Sequence, residues 1–153
     1  MLYPVSMRVL VWIMFAGVGL GSSAVASDYV GALRCKSCHP AQYAHWKTTE
    51  HARAAKGLSA AERRDPRCAG CHSTSAADGL EGVQCESCHG PGRYYWPEHV
   101  MKDAALAEAV GLTPGDKKGI CLACHTADTA SVAPFDFTAA LRAVRHSKGS
   151  EAP

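Results

Sequence analysis

A mainly α, loop-rich fold with little or no sheet is predicted by three features of this 153-residue sequence. Its apolar inventory is too thin for a conventional side-chain core. Its eight cysteines fall into four copies of one short motif spread along the chain. Its helical stretches are short and are bounded by proline, glycine and aspartate. The expected architecture is a set of short helices wrapped around something other than side chains.

The first 26 residues read as a secretory signal. Residues 1–8 are a short basic start, 9–20 an unbroken apolar run of 12, and Ala24, Val25 and Ala26 a small-residue cleavage site. Twelve apolar residues fall short of the roughly 20 that a spanning helix needs. No stable membrane span is therefore expected after cleavage, an uncleaved anchor being the alternative. The expected organisation is a signal peptide at 1–26, one domain at 27–147 and a disordered tail at 148–153.

Removing 26 residues from 153 leaves 127, with 15 basic against 14 acidic side chains. That balance makes no basic field for nucleic acid. All eight cysteines and all eight histidines remain, whereas the large apolar side chains thin out to Phe135, Phe137, Trp46, Trp96 and Met101 among those three types. This composition excludes a membrane transporter, a collagen-like chain and a Leu/Ile-packed core.

Eight cysteines in an exported chain first suggest four disulfides. The spacing argues otherwise. The cysteines pair as Cys35/Cys38, Cys68/Cys71, Cys85/Cys88 and Cys121/Cys124, and each pair is followed at once by a histidine, His39, His72, His89 and His125. Cys-x-x-Cys-His is the attachment sequence for c-type haem. Two thioethers reach two vinyl groups on one porphyrin edge, and the next residue places an imidazole under the iron as proximal ligand. Zinc also uses Cys-x-x-Cys and histidine, but nothing in a zinc site requires the histidine to abut the second cysteine four times. A thioredoxin-like redox pair needs a βαβ setting, and no such pattern is visible. Four c-type haems are therefore expected, with the macrocycles serving as the core.

Four histidines remain beyond the proximal set: His45, His51, His99 and His146. With Met101 the only thioether left, most irons should be bis-histidine and of low potential. Pro40 opens a helix expected over 41–56, in which His45 and His51 lie about 600° apart and face different ways. His51 stands beside small residues that admit a haem face, whereas His45, next to Trp46, reads equally well as solvent-facing. His99 lies in the first turn of a second helix over 97–110, stopped by Gly111. His146 ends a third helix over 137–147, capped by Asp136, with Phe137, Leu141 and Val144 on one face. His51, His99 and His146 are the expected distal ligands and His45 a further candidate.

The proximal histidines are 33, 17 and 36 residues apart. The close pair His72 and His89 implies neighbouring haems, joined by a small polar linker (STSAADGLEGVQ) suited to a loop. The charged stretch AERRDPR and the lysine-bearing GDKKG read as solvated surface.

Several stretches resemble the tetrahaem cytochromes of the cytochrome c-554 family. They are Tyr29-Val30-Gly31 before the first motif; Tyr43, Trp46, Thr49 and His51-Ala52 after it; the run from Gly82 to Gly92 (GVQCESCHGPG); and Phe135-Asp136-Phe137 with His146. The resemblance covers nearly all of the chain after residue 26, though this chain looks shorter than typical members. It implies a helical, haem-packed fold, a periplasmic electron carrier, and His51, His99 and His146 as distal ligands. It also implies one iron without a second protein ligand, with that of His72 the candidate.

The function expected is a bacterial periplasmic electron carrier between redox partner proteins, not an enzyme. The alternative is a reductase of a nitrogen oxide or hydroxylamine at one five-coordinate haem. No cluster of acid and base groups in the sequence favours it.

Overall fold

A computed structural model of the chain describes residues 27–115, 117–126 and 134–146. The expected signal and tail lie outside the described residues. In chain order the elements are α1 (Ala32–Lys36), α2 (Pro40–Thr48), 3₁₀ turns at His51–Arg53 and Glu62–Arg64, and α3 (Pro66–His72). They continue with β1 (Ser73–Ser75), β2 (Leu80–Glu81), α4 (Cys85–His89) and a 3₁₀ turn at Gly92–Tyr94. The last are α5 (Glu98–Met101), α6 (Ala104–Ala109), α7 (Lys118–Leu122) and α8 (Phe137–Val144). The fold is mainly α and loop-rich, as expected, and its sheet is a two-stranded antiparallel ribbon.

Each of the three expected helices is shorter than the sequence pattern suggests, and side-chain hydrogen bonds explain most of the difference. α2 starts at Pro40 but ends at Thr48, because Thr49 turns extended (φ −83°, ψ 159°). The Thr48 and Thr49 hydroxyls donate back to the carbonyls of His45 and Trp46, both at 2.7 Å. Such local bonds compete with helix propagation. The expected helix over 97–110 is two helices, α5 and α6, broken where Asp103 leaves the helical region and caps α6 by accepting from the Leu106 N–H at 3.0 Å. Gly111 stands just beyond, where the stop was expected. Asp136 caps α8 by accepting from the Ala139 N–H at 2.9 Å, as expected. α8 ends at Val144, however, so His146 lies past the helix on extended backbone rather than at its last turn.

The linker between the second and third motifs is also more ordered than a loop. β1 and β2 pair with Ser73 opposite Glu81 and Ser75 opposite Leu80. The Thr74 hydroxyl closes the base of this ribbon, donating to the Gly82 carbonyl and accepting from the Gln84 N–H. Gly82 has φ +78°, and a Cβ there would lie 3.1 Å from the carbonyl oxygens of both His51 and Ala52. Glycine at this position lets the His51 turn seat directly on the approach to α4, where the Val83 N–H donates to the His51 carbonyl at 2.9 Å. Trp46 adds a second tie from α2, its Nε1–H donating to the Val83 carbonyl at 2.8 Å.

Side chains make only a small core. Among the described residues the buried apolar ones are Ala32, Ala55, Ala69, Tyr95, Val100 and Ala107, and no large side chain is fully buried. Tyr95, Val100 and Ala107 form a buried cluster, with Met101, Val110 and Leu112 packed on it. Four of the six buried apolar residues are alanines, so buried side chains supply little volume.

Candidate haem-iron sites

Each motif is wound into about one helical turn. The His39 N–H donates to the Cys35 carbonyl and the His125 N–H to the Cys121 carbonyl, both at 2.9 Å. α3 and α4 contain the second and third motifs whole, ending on His72 and His89. A helical turn sets residues i and i+3 on one side and i+4 beside them, so both thiols and the imidazole of a motif face one region. The local sequence enforces this. Asp65 caps α3 through the Arg67 N–H at 2.9 Å with Pro66 at the first position.

Two of the four expected proximal imidazoles are held as metal ligands usually are. His89 Nδ1 lies 3.0 Å from the Thr113 carbonyl oxygen, and His72 Nδ1 makes a short bond to the Ala54 carbonyl oxygen. A carbonyl only accepts, so in each ring the proton sits on Nδ1 and the Nε2 lone pair is free. Gly115 leaves space at this edge of His89: a Cβ there would lie 3.0 Å from its Cε1 and 3.2 Å from its Nε2. His125 is fixed differently. Phe135 stacks on it with centroids 4.4 Å apart and planes 22° from parallel, and its Nδ1 is buried without a hydrogen-bond partner.

Two of the expected distal histidines face proximal ones. His51 and His125 have ring centroids 6.1 Å apart, and His89 and His146 have theirs 5.8 Å apart. An iron held about 2 Å from a nitrogen of each of two imidazoles leaves their ring centres roughly 6 Å apart. Burial, and then His125, lower the pKa of His51 and favour the neutral imidazole that ligation requires. His99 is exposed on α5. It belongs to the segment beside the first motif, where Trp96 carries the Arg34 guanidinium 5.0 Å over its ring. His45 lines a surface cleft with Ala41, Gln42, Arg145 and His146, and so sits near a distal histidine and not opposite a proximal one. Among the described residues His39 and His72 face no other ring.

The cysteines form no disulfide among the described residues, and thiols of different motifs converge. The neighbouring Cys85 thiol first, and burial second, raise the Cys35 thiol pKa, and the Cys35 Sγ–H donates to the Gly31 carbonyl at 3.9 Å. Cys71 similarly contacts Cys124, which burial first and this contact second raise to about 11. Burial also raises Cys88, with Cys121 close enough to add to it. Motif one therefore meets motif three, motif two meets motif four, and motif three also meets motif four. Among the described residues no three His, Cys, Asp or Glu side chains gather as a metal-ion site by themselves. The arrangement suits a planar group gripped at one edge and on its faces.

Cys38 departs from this arrangement. It is exposed, as is His39 after it, whereas the other seven cysteines are partly buried. The cause is local. α1 ends at Lys36, so the second half of the first motif lies in a turn beyond the helix, where the Ser37 hydroxyl donates to the Arg34 carbonyl at 2.7 Å. Cys38 Sγ lies 3.8 Å from that hydroxyl. The neighbour it acquires from a distant segment is Lys102, whose pKa is raised chiefly by Glu98 and also by Cys38. The first motif therefore opens at the surface, on the side where α5 and His99 lie.

Sequence reasoning missed Glu86, the first of the two variable residues of the third motif. It is 2 % exposed, and its carboxylate accepts from the backbone N–H groups of Val30, Gly31 and Gly92. Variable positions inside Cys-x-x-Cys-His carry no attachment chemistry, so the motif gave no signal for it.

No solved structure matches the chain. Residues 34–90 match the family described as Cytochrome c554 and c-prime, a span that includes three of the four motifs. The curated protein "Cytochrome c-554" of Nitrosomonas europaea is 31% identical over 141 residues, covering 68% of this chain. The chain spans 60% of that relative's length. The motifs, the helical haem-ready geometry and the two matches converge, and the chain belongs to the cytochrome c-554 family.

Proposed function

We propose that the chain is an exported tetrahaem c-type cytochrome that carries electrons between redox partner proteins in the periplasm, its domain spanning 27–147 after a signal at 1–26. The observation that carries this reading is the pairing of His51 with His125 and of His146 with His89 at ring separations of about 6 Å.

Covalently bound haem iron supplies a one-electron couple. The eight cysteines hold it, the exposed Cys38 included, and His39, His72, His89 and His125 take the proximal positions. The Ala54 and Thr113 carbonyls orient His72 and His89 and keep the proton off the ligating nitrogen. His51 is the distal ligand on the fourth motif and His146 on the third. His99, beside the first motif, takes that distal position. The exposure of Cys38 and His39 makes the first haem the one nearest solvent and the natural point of contact with a redox partner. His45 is left over, in the cleft beside His146. Two imidazoles on one iron close it to substrates and favour electron transfer over catalysis. The convergence of thiols from motifs one and three, and from two and four, supports close haem neighbours and a continuous electron path. No helix among the described residues is long and apolar enough to cross a membrane.

The second reading, a reductase of a nitrogen oxide or hydroxylamine, has one observation in its favour: no ring faces His72 among the described residues. One experiment addresses both readings. The protein exported by a host with haem-attachment machinery is purified, its haem counted by pyridine haemochrome, and its optical and EPR spectra recorded with and without carbon monoxide or nitric oxide. Four haems with no response to either gas are expected for the carrier, with the second position on the His72 iron closed by a ligand other than the seven histidines placed above. A high-spin signal that shifts with these gases would move the argument to an open iron on His72. A colourless protein would overturn both.

A further inference from the structure

We infer that Glu86 is a buried fixed charge that lowers the midpoint potentials of the haems on the first and third motifs below what their ligands alone would set. This inference rests on the haem reading above.

Glu86 is the one buried charged residue among those described. Its Oε1 accepts from the Val30 N–H at 2.9 Å and the Gly92 N–H at 2.6 Å, and its Oε2 from the Gly31 N–H at 2.7 Å. Three donors and no acceptor face the carboxyl, the arrangement of an ionised carboxylate. The chain closes tightly around it: a Cβ on Gly92 would lie 2.8 Å from Glu86 Oε1 and 2.8 Å from Val30 Cγ2. None of the ion pairs among the described residues includes it. Backbone dipoles stabilise the anion but add no net charge, so its field persists beyond them.

Its position decides which haems feel that field. Glu86 follows Cys85 directly and lies one turn before His89. Val30 and Gly31, which it holds, lead straight into α1 and Cys35. The Cys35 and Cys85 thiols meet beside it, and its charge is felt at Cys35, Cys85 and Tyr95. Its three hydrogen-bond partners, Val30, Gly31 and Gly92, flank the first and third motifs and none lies in the second or fourth. Reduction adds one electron to a ferric iron, with no bond made or broken and no proton required. The site becomes more negative by one charge, and a nearby buried anion opposes that change. Glu86 is thus a positioning residue for the fold and, through its charge, a potential-setting one.

The test is a potentiometric titration of the four-haem protein and of Glu86→Gln, read as four one-electron steps, with the haems told apart by their paramagnetically shifted methyl resonances. Glu86→Gln keeps the shape and removes the charge. Its first- and third-motif haems should become about tenfold easier to reduce, a rise of about 59 mV each, while the other two stay in place. Glu86→Asp keeps the charge with poorer hydrogen bonds, and should lose thermal stability while holding the wild-type potentials. If Glu86→Gln does not mature with four haems, Glu86→Ser, small enough to admit water to the three N–H groups, takes its place under the same expectations. Four haems with unmoved midpoints, four midpoints moving equally, or an aspartate variant that shifts like the neutral one would each overturn the inference. A wild-type protein without four haems would instead overturn the haem reading beneath it.

Discussion

The imidazoles of His51 and His125 face each other across 6.1 Å, with their planes tilted by 56°. They come from opposite sides of the third motif, and neither helix geometry nor sequence spacing alone would pair them. The break at Thr49 is what allows it. A helix continued to residue 56 would carry His51 on the α2 axis; the 3₁₀ turn at His51–Arg53 instead seats it over Gly82.

Replacing His51 with alanine therefore opens one iron and no other. All four haems stay attached, because no cysteine is touched, and the haem on Cys121 and Cys124 turns high-spin. EPR with assignment of the shifted methyl resonances checks both parts, and a wholly low-spin spectrum would remove His51 from the ligand set.

His45→Ala is the matching control. The side chain is exposed and shares its cleft with His146, not with a proximal histidine. Its loss should leave all spin states as they were. A new high-spin haem in this variant would mean that His45 binds iron.

Gly115→Val should weaken the third site specifically. A Cβ at this position already lies 3.0–3.2 Å from His89 atoms, including Nε2, the nitrogen proposed to bind iron, and two further methyl groups would need space in the same place. A fraction of high-spin haem on the third motif, seen in the optical charge-transfer region, is the expected sign. A fully low-spin third haem would show that this edge of His89 is not where the iron sits.

Gly90→Ala tests the fold more than the site. Gly90 ends α4 with φ +83°, and a Cβ would meet the Gly111 carbonyl oxygen at 2.6 Å. Strain and clash together should cost about 2 kcal/mol or more, lowering the Tm of the holoprotein by several degrees. An unchanged thermal transition would contradict the close approach of these two turns.

Trp46→Phe keeps the ring beside Tyr43, 5.4 Å away, but deletes the Nε1–H bond to the Val83 carbonyl. A loss of about 1 kcal/mol is expected by thermal or denaturant unfolding, with spin states preserved. A high-spin haem on the fourth motif in this variant would instead show that the bond also sets His51.

Local features of this chain were legible in the sequence and relational ones were not. Pro40, Asp136 and Gly111 act within a turn of themselves, so the starts of α2 and α8 and the stop after α6 could be read directly. The breaks at Thr49 and Asp103 were hidden because the same residues are tolerated inside helices; only the hydrogen bonds they make decide. The motifs singled out His39, His72, His89 and His125 as the expected proximal ligands, but four like motifs gave no sign that Cys38 would lie at the surface. The carbonyls of Ala54 and Thr113 that orient two of the histidines are backbone atoms and leave no trace in residue identity. The facing pairs depend on how distant segments meet, and Glu86 sits at a position the motif leaves blank. The linker read as loop holds a ribbon because Thr74, one polar residue among many there, bonds across its base.

The crossing of motif one onto three and of two onto four bears on how such a chain is made. A chain meets its partners in order of synthesis, and here the fourth motif brings Cys121 onto Cys88 of the motif just before it while the second has no such early neighbour. The second must wait for the fourth, and His89 waits for His146, near the end of the described chain. The second motif and His89 therefore stay without these partners until the last described segments are in place. The segment around His146, set against His89 across 5.8 Å, is the latch of this order.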